Sequence, residues 1–238
     1  MNTEKVFLTA DWRKLIFAQY EVEEAVLQKY LPKNVELDPW QGKCYVSLVG
    51  FLFTDVRLGG FKIPFHHHFE EVNLRFYVKY KDGAIWKRGV VFISEVVPKA
   101  AITLIANTIY GEKYSTAKMS YQLRELGDHI DIGFSWKKKR WNNFSVSASN
   151  FAKPMVAGGE SEFITEHYWG YTKINDQTTS EYGVQHPRWD EYKVLNYNID
   201  VDFGQNYGPD FKDLTNQTPY SVIFAEGSPI RIMGGRKF

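Results

Sequence analysis

With 238 residues, 44% of them hydrophobic, the chain is long enough to bury a large core, and its composition excludes a disordered or fibrous protein. Lys and Arg total 29 against 28 Asp and Glu, so a net charge of +1 supplies no field to gather a polyanion, and neither nucleic acid nor anionic lipid is an expected partner. The only cysteine, Cys44, excludes an internal disulfide and a cysteine-based zinc site; with a charged N-terminal stretch and no apolar run near 20 residues, a cytoplasmic chain without leader or membrane helix is expected.

Aromatic residues make up 16% of the chain and favour pleated, half-buried surfaces. Residues 5–20 read as an opening strand or pair of strands, followed by a helix in which Val22, Ala25, Val26 and Tyr30 recur at helical spacing until Leu31-Pro32 stops it. A strand over residues 43–56 turns at Gly59-Gly60. A second, over 66–80, runs into Asp82-Gly83, a hairpin signal because Asp-Gly accommodates positive φ, and its partner spans 85–97. Pro98 and Gly111 bracket a helix over 99–109. Further strands are expected at 114–126, 129–139, 143–152, 167–174, 180–186 and 192–203, then a surface loop over 204–219. A closing hairpin is expected to turn at Glu226-Gly227-Ser228. No repeat or linker divides the chain, so one domain over 1–238 is expected. The fold class is mainly β (α+β): a large antiparallel sheet with a few short helices.

The strand at 66–80 carries the most chemistry. Alternation places Val72, Leu74, Phe76 and Val78 on one face, which is core, and Glu71, Asn73, Arg75 and Tyr77 on the other. That second face is either solvent surface or the lining of a polar cavity. Glu71 and Arg75 lie about 13 Å apart along the strand, too far for a direct ion pair, so each needs another partner. In a cavity they would orient a small polar ligand between a guanidinium, an amide and a carboxylate. His66, His68 and Glu70 share a face, and two imidazoles with a carboxylate are a ligand set that metal sites use. No metal or cofactor is expected: the Ser-hydrolase elbow, the paired-His zinc motif and the glycine-rich phosphate loops are all missing. Glu166, His167 and His186 stand among aromatic residues, whose low dielectric could tune them for acid or base work or simply hold them in structural hydrogen bonds.

Taken together, Tyr30-Leu31-Pro32, Leu37-Asp38, the segment 69–75, the segment 166–171, His186-Pro187-Arg188-Trp189 and the segment 224–228 make the chain resemble the YqjF-like group of uncharacterised bacterial proteins, related to the acetoacetate decarboxylase superfamily. The resemblance implies a cone-like β-barrel or highly curved sheet around a pocket, with the Glu71–Asn73–Arg75 face turned inward. Decarboxylases of that superfamily form a Schiff base on a lysine within a G-x-P-K-K pattern. The matching segment here is Gly111-Glu112-Lys113-Tyr114-Ser115, where Lys113 replaces the proline and Tyr114 and Ser115 replace the lysines. A one-residue offset turns Lys113 to the opposite face, and Lys118 has no neighbouring cation to lower its pKa. The expectation is therefore a small-molecule-binding protein or enzyme that uses Arg75 for an anionic group and Glu71 or Tyr114 near the reacting atom. Schiff-base chemistry is not expected. The alternatives are a decarboxylase of β-keto acids acting through Lys113 or Lys118, and a noncatalytic protein-interaction module; an oligomer is left open.

Overall fold

The computed structural model describes residues 5–62, 67–109 and 111–238. In chain order the strands are β1 Val6–Glu21, β2 Val35–Leu37, β3 Tyr45–Leu58, β4 Phe61–Lys62, β5 His68–Asp82, β6 Ile85–Val97, β7 Tyr114–Thr116, β8 Lys118–Leu126, β9 His129–Lys137, β10 Trp141–Pro154, β11 Trp169–Asn175, β12 Thr178–Gln185, β13 Asp190–Asp200, β14 Ser221–Met233 and β15 Arg236–Lys237. The helices are α1 Glu24–Gln28, α2 Ala100–Ile109, α3 Glu160–Thr165 and α4 Phe203–Tyr207, with a 3-10 segment at Pro209–Asn216.

All the strands join one highly curved sheet. Its central run, β12–β11–β6–β5–β3–β1–β14, returns on itself because Val184 and Gln185 of β12 pair with Ile232 and Arg231 of β14, giving a ring of hydrogen-bonded strands. Beyond β14 the sheet continues through β13, β10 and β9 to β8, and this wing folds back against the outside of the ring. Two cores follow from the period-2 alternation. Val72, Leu74, Phe76 and Val78 of β5 pack outward with Ile130, Ile132, Phe134 and Trp136 of β9 and Phe144 and Val146 of β10. The opposite side chains, including Phe69 and Tyr77 of β5 and Val49, Phe51 and Phe53 of β3, pack inside the ring.

In three ring strands this alternation changes phase. In β1, Trp12 and Phe17 both pack inside while Ile16 packs outside, because the pairing with β3 slips between Arg13 and Ile16, where Lys14 adopts φ 56°. In β6, Val91 and Ile93 face outward, yet Glu95 faces inward beside Asn73; the pairing with β5 slips between Leu74 and Arg75. In β14, Phe224 faces outward and Ile230 inward, either side of Gly227 at φ 84°, where a β-carbon would strike the carbonyl of Trp12.

Several sequence expectations are corrected here. Residues 221–233 form one strand kinked at Gly227, not a hairpin. The strand expected over 114–126 divides at Ala117, since β7 pairs parallel to β6 while β8 pairs with β9. The loop expected over 204–219 carries α4 and the 3-10 segment, because the Asp202 carboxylate accepts from the Gln205 N–H and Phe203, Tyr207, Phe211 and Leu214 bury against the outer core. Among the described residues no helix is long and apolar enough to cross a membrane.

Candidate functional site: a polar chamber inside the strand ring

The inward faces of β5, β6, β7 and β12 meet around a cavity of about 60 Å³. Cross-strand register assembles its polar wall: Asn73 pairs with Glu95 across β5 and β6, and Glu95 pairs with Tyr114 across β6 and β7. Glu71 accepts a 2.9 Å hydrogen bond from Asn73 Nδ2 on one carboxylate oxygen and a 2.9 Å bond from the Tyr114 hydroxyl on the other. The remaining wall is aromatic, with Trp12 edge-on to Phe51 and Phe53, and the His186 imidazole stacked on Trp189 at 4.3 Å between centroids. Gly170 completes it: a β-carbon there would occupy the position of the Tyr182 ring.

Two carboxyl groups, Glu71 and Glu95, line this chamber and a third, Glu112, is buried in the cavity adjoining it, and burial dominates each. Glu71 is pushed up to about 7 by desolvation, against the hydrogen bonds from Asn73 and Tyr114. Glu112 is raised to about 7, again by burial first, and Glu95 is raised well above the carboxylate range by burial and then by repulsion from Glu112 and Glu71. The two imidazoles move the other way: burial lowers His167 and His186 to about 4, so both are neutral near pH 7. His186 has its Nδ1 2.9 Å from the Pro187 carbonyl, which makes Nδ1 the donor and leaves Nε2 as an acceptor.

Arg75 is the only arginine, and no lysine stands, among the side chains lining the chamber. Its Nη2 donates to the Ile164 carbonyl at 3.4 Å, its Nε is buried without a hydrogen-bond partner, and its guanidinium carbon sits 5.3 Å from the Phe17 ring centroid. It makes no ion pair among the described residues. Asn73 Oδ1, Glu95 Oε2 and His167 Nδ1, all on chamber-lining residues, are likewise buried without hydrogen-bond partners. A cationic fork and several orphaned polar atoms converging on one small cavity can hold a small polar ligand and move a proton to or from it.

The structure thus brings Glu71, Asn73, Arg75, Tyr114, His167 and His186 to one chamber. Tyr77 is buried beside it, hydrogen-bonded to Ser47 and 4.8 Å from the His167 ring. Glu166 falls outside: one position away from His167, it faces an outer groove with Tyr168 and Arg188. Lys113 is exposed, 5.7 Å from the Tyr30 ring, and Lys118 is exposed on β8, 5.9 Å from the Trp141 ring, so neither lines the chamber. His66 lies outside the described residues. His68 is exposed with Nε2 2.8 Å from the Tyr121 hydroxyl, Glu70 is buried, and no described group of His, Cys, Asp and Glu gathers as a metal set. Sequence reasoning missed Glu95, Glu112 and Tyr182. For Glu95 a signal exists, a lone carboxylate inside the apolar run Val90-Val91-Phe92-Ile93-Ser94-Glu95-Val96-Val97.

A family model described as an uncharacterised conserved protein, DUF2071, matches residues 9–229. The uncharacterised protein YqjF of Bacillus subtilis (strain 168) is 29% identical over 181 residues, covering 75% of this chain and 72% of that one. Among solved structures, the acetoacetate decarboxylase of Legionella pneumophila superposes with a TM-score of 0.66 at 13% identity over 100% of this chain and 90% of its own. The enduracididine biosynthesis enzyme MppR complexed with pyruvate gives 0.65 at 11%, covering 100% and 91%. An acetoacetate decarboxylase-like enzyme from Sphingomonas wittichii RW1 gives 0.66 at 11%, covering 98% and 94%. The fold is therefore acetoacetate decarboxylase-like.

Proposed function

This chain belongs to the DUF2071 family of uncharacterised conserved proteins, and from that footing we propose that it binds a small carboxylate in the chamber, with Arg75 holding the anionic group and Glu71 and Tyr114 at the reacting end. The observation that carries this reading is the guanidinium of Arg75, inside the ring with a buried, unpartnered Nε and no described carboxylate paired to it. Arg75 is part-buried, and a cation drawn from water without an ion-paired carboxylate is costly; a bound anion offsets that cost. The size agrees: about 60 Å³ holds roughly four waters, or one molecule of three or four carbons. The binding of pyruvate by a protein of similar fold supports the same class of ligand.

Any reaction in this chamber runs on proton transfer by Glu71, whose pKa near 7 suits a general base at neutral pH, and not on a lysine amine. The test is a thermal-shift screen of pyruvate, 2-oxobutyrate and acetoacetate, followed by calorimetry on hits. Arg75→Ala is expected to weaken binding at least tenfold, and an unchanged response in that variant removes Arg75 from the site. Borohydride reduction with acetoacetate, followed by mass spectrometry, is expected to leave Lys113 and Lys118 unmodified; a trapped adduct on either would restore the decarboxylase reading.

A further inference from the structure

Behind the polar chamber lies a second, predominantly apolar cavity of about 90 Å³, lined by Phe7, Leu8, Phe53, Val56, Leu58 and Phe69 from the sheet and by one face of α2, with Glu112 as its one carboxyl. The helix presents Ile102, Ile105 and Ala106, spaced i, i+3, i+4, while Leu104 on its other side is 68% exposed. Two contacts fix α2 in this position. Asn107 grips the backbone of Tyr114, accepting from its N–H at 2.8 Å and donating to its carbonyl at 3.0 Å, and Thr103 Oγ1 lies 2.8 Å from Thr116 Oγ1.

The two cavities share Phe53, Tyr114, Tyr182 and Ile232, so Tyr114 stands with its hydroxyl on Glu71 in one and its ring against the other. Protein interiors are close-packed, and an apolar void of this size takes up apolar molecules. Next to a polar chamber it has an immediate occupant. We propose that the cavity under α2 is the tail subsite of the same ligand, so that the protein selects oxo acids carrying an apolar chain or ring and not the three-carbon acid alone. The carboxylate sits at Arg75, the oxo group at Glu71 and Glu95, and the apolar substituent passes Tyr114 and Tyr182 to lie against Ile102, Ile105 and Ala106. This rests on the Arg75 reading above and adds chain-length selectivity to it.

The experiment measures calorimetric affinity of the full chain for linear 2-oxo acids of three to eight carbons. Burial of each added methylene is expected to tighten binding about threefold to fourfold until the cavity is full. Ala106→Phe, which fills the cavity, is expected to abolish that gain while leaving pyruvate unaffected; Ile105→Ala, which enlarges it, is expected to move the optimum to longer chains. If Ala106→Phe does not fold, the Ile105→Ala shift decides alone. Affinity independent of chain length overturns the tail subsite and leaves the Arg75 reading standing. Binding of 1-alkanols of matched length, undiminished in Arg75→Ala and without binding of the oxo acids, overturns the single-ligand arrangement; no response to any acid overturns both readings.

Discussion

Glu71 keeps two hydrogen bonds that favour its charged form and still titrates near pH 7, because burial outweighs them. Removing one donor therefore moves it further in the same direction. Tyr114→Phe is expected to raise the Glu71 pKa by about one unit, read by carboxyl NMR of glutamate-labelled protein; an unmoved titration would detach Tyr114 from Glu71. The same carboxyl sets the pH dependence of anion binding. As Glu71 ionises through about 7, the chamber gains negative charge facing an anionic ligand, and Glu112, ionising over the same range in the adjoining cavity, adds to it from behind. Pyruvate affinity is expected to fall about tenfold between pH 6.5 and 8, measured by calorimetry at the two pH values. At this scale the sequence was most legible on β5, where simple alternation named Glu71, Asn73 and Arg75 together. It was least legible at Glu95, which reaches the chamber only because β6 slips phase after Phe92.

Strand pairing and the α2 clamp decide what the chamber walls can be. Asn107→Ala removes both hydrogen bonds that hold α2 to the Tyr114 backbone, and leaves two part-buried backbone groups unsatisfied. A loss of about 1–3 kcal/mol is expected in chemical denaturation, with faster amide exchange in residues 100–109 by mass spectrometry; unchanged exchange would show that apolar packing alone retains the helix. Gly170→Ala tests the opposite wall, since the added methyl must displace the Tyr182 ring. Overpacking there is expected to cost about 1–3 kcal/mol, read in a melting curve. Elements bounded by turn chemistry, such as the β5–β6 hairpin at Asp82-Gly83 and the helix between Pro98 and Gly111, were legible because their signals are local. The unbroken β14 was not, since Gly227 reads as a turn until the close approach of the Trp12 carbonyl is seen.

Across the whole molecule, opposing titrations set the pH of maximum stability. Glu71 and Glu112 are raised from 4.5 to about 7 on folding, so the stability they confer is present below 4.5 and is lost as pH rises through 7. His167 and His186 are lowered from 6.5 to about 4, so their contribution is present above 6.5 and is lost as pH falls toward 4. Between about 4.5 and 6.5 the two pairs offset one another; above 6.5 only the carboxyls change. Stability is expected to decline by about 1–2 kcal/mol from pH 6.5 to 8, and Glu95→Gln, which removes a third carboxyl held protonated by burial, should flatten that decline in denaturant titrations across the range. Composition and alternation alone determined that this chain is mainly β and that a polar stripe runs along one of its strands, because residue type and a two-residue period are properties of the chain itself. Only the tertiary structure decided that the stripe faces inward, that Glu95 and Tyr182 join it, and that α2 roofs a mostly apolar annex into which Glu112 is buried. Ring closure between β12 and β14 and the phase slips in β1, β6 and β14 bring together residues far apart in sequence, and no local pattern encodes which of them will meet.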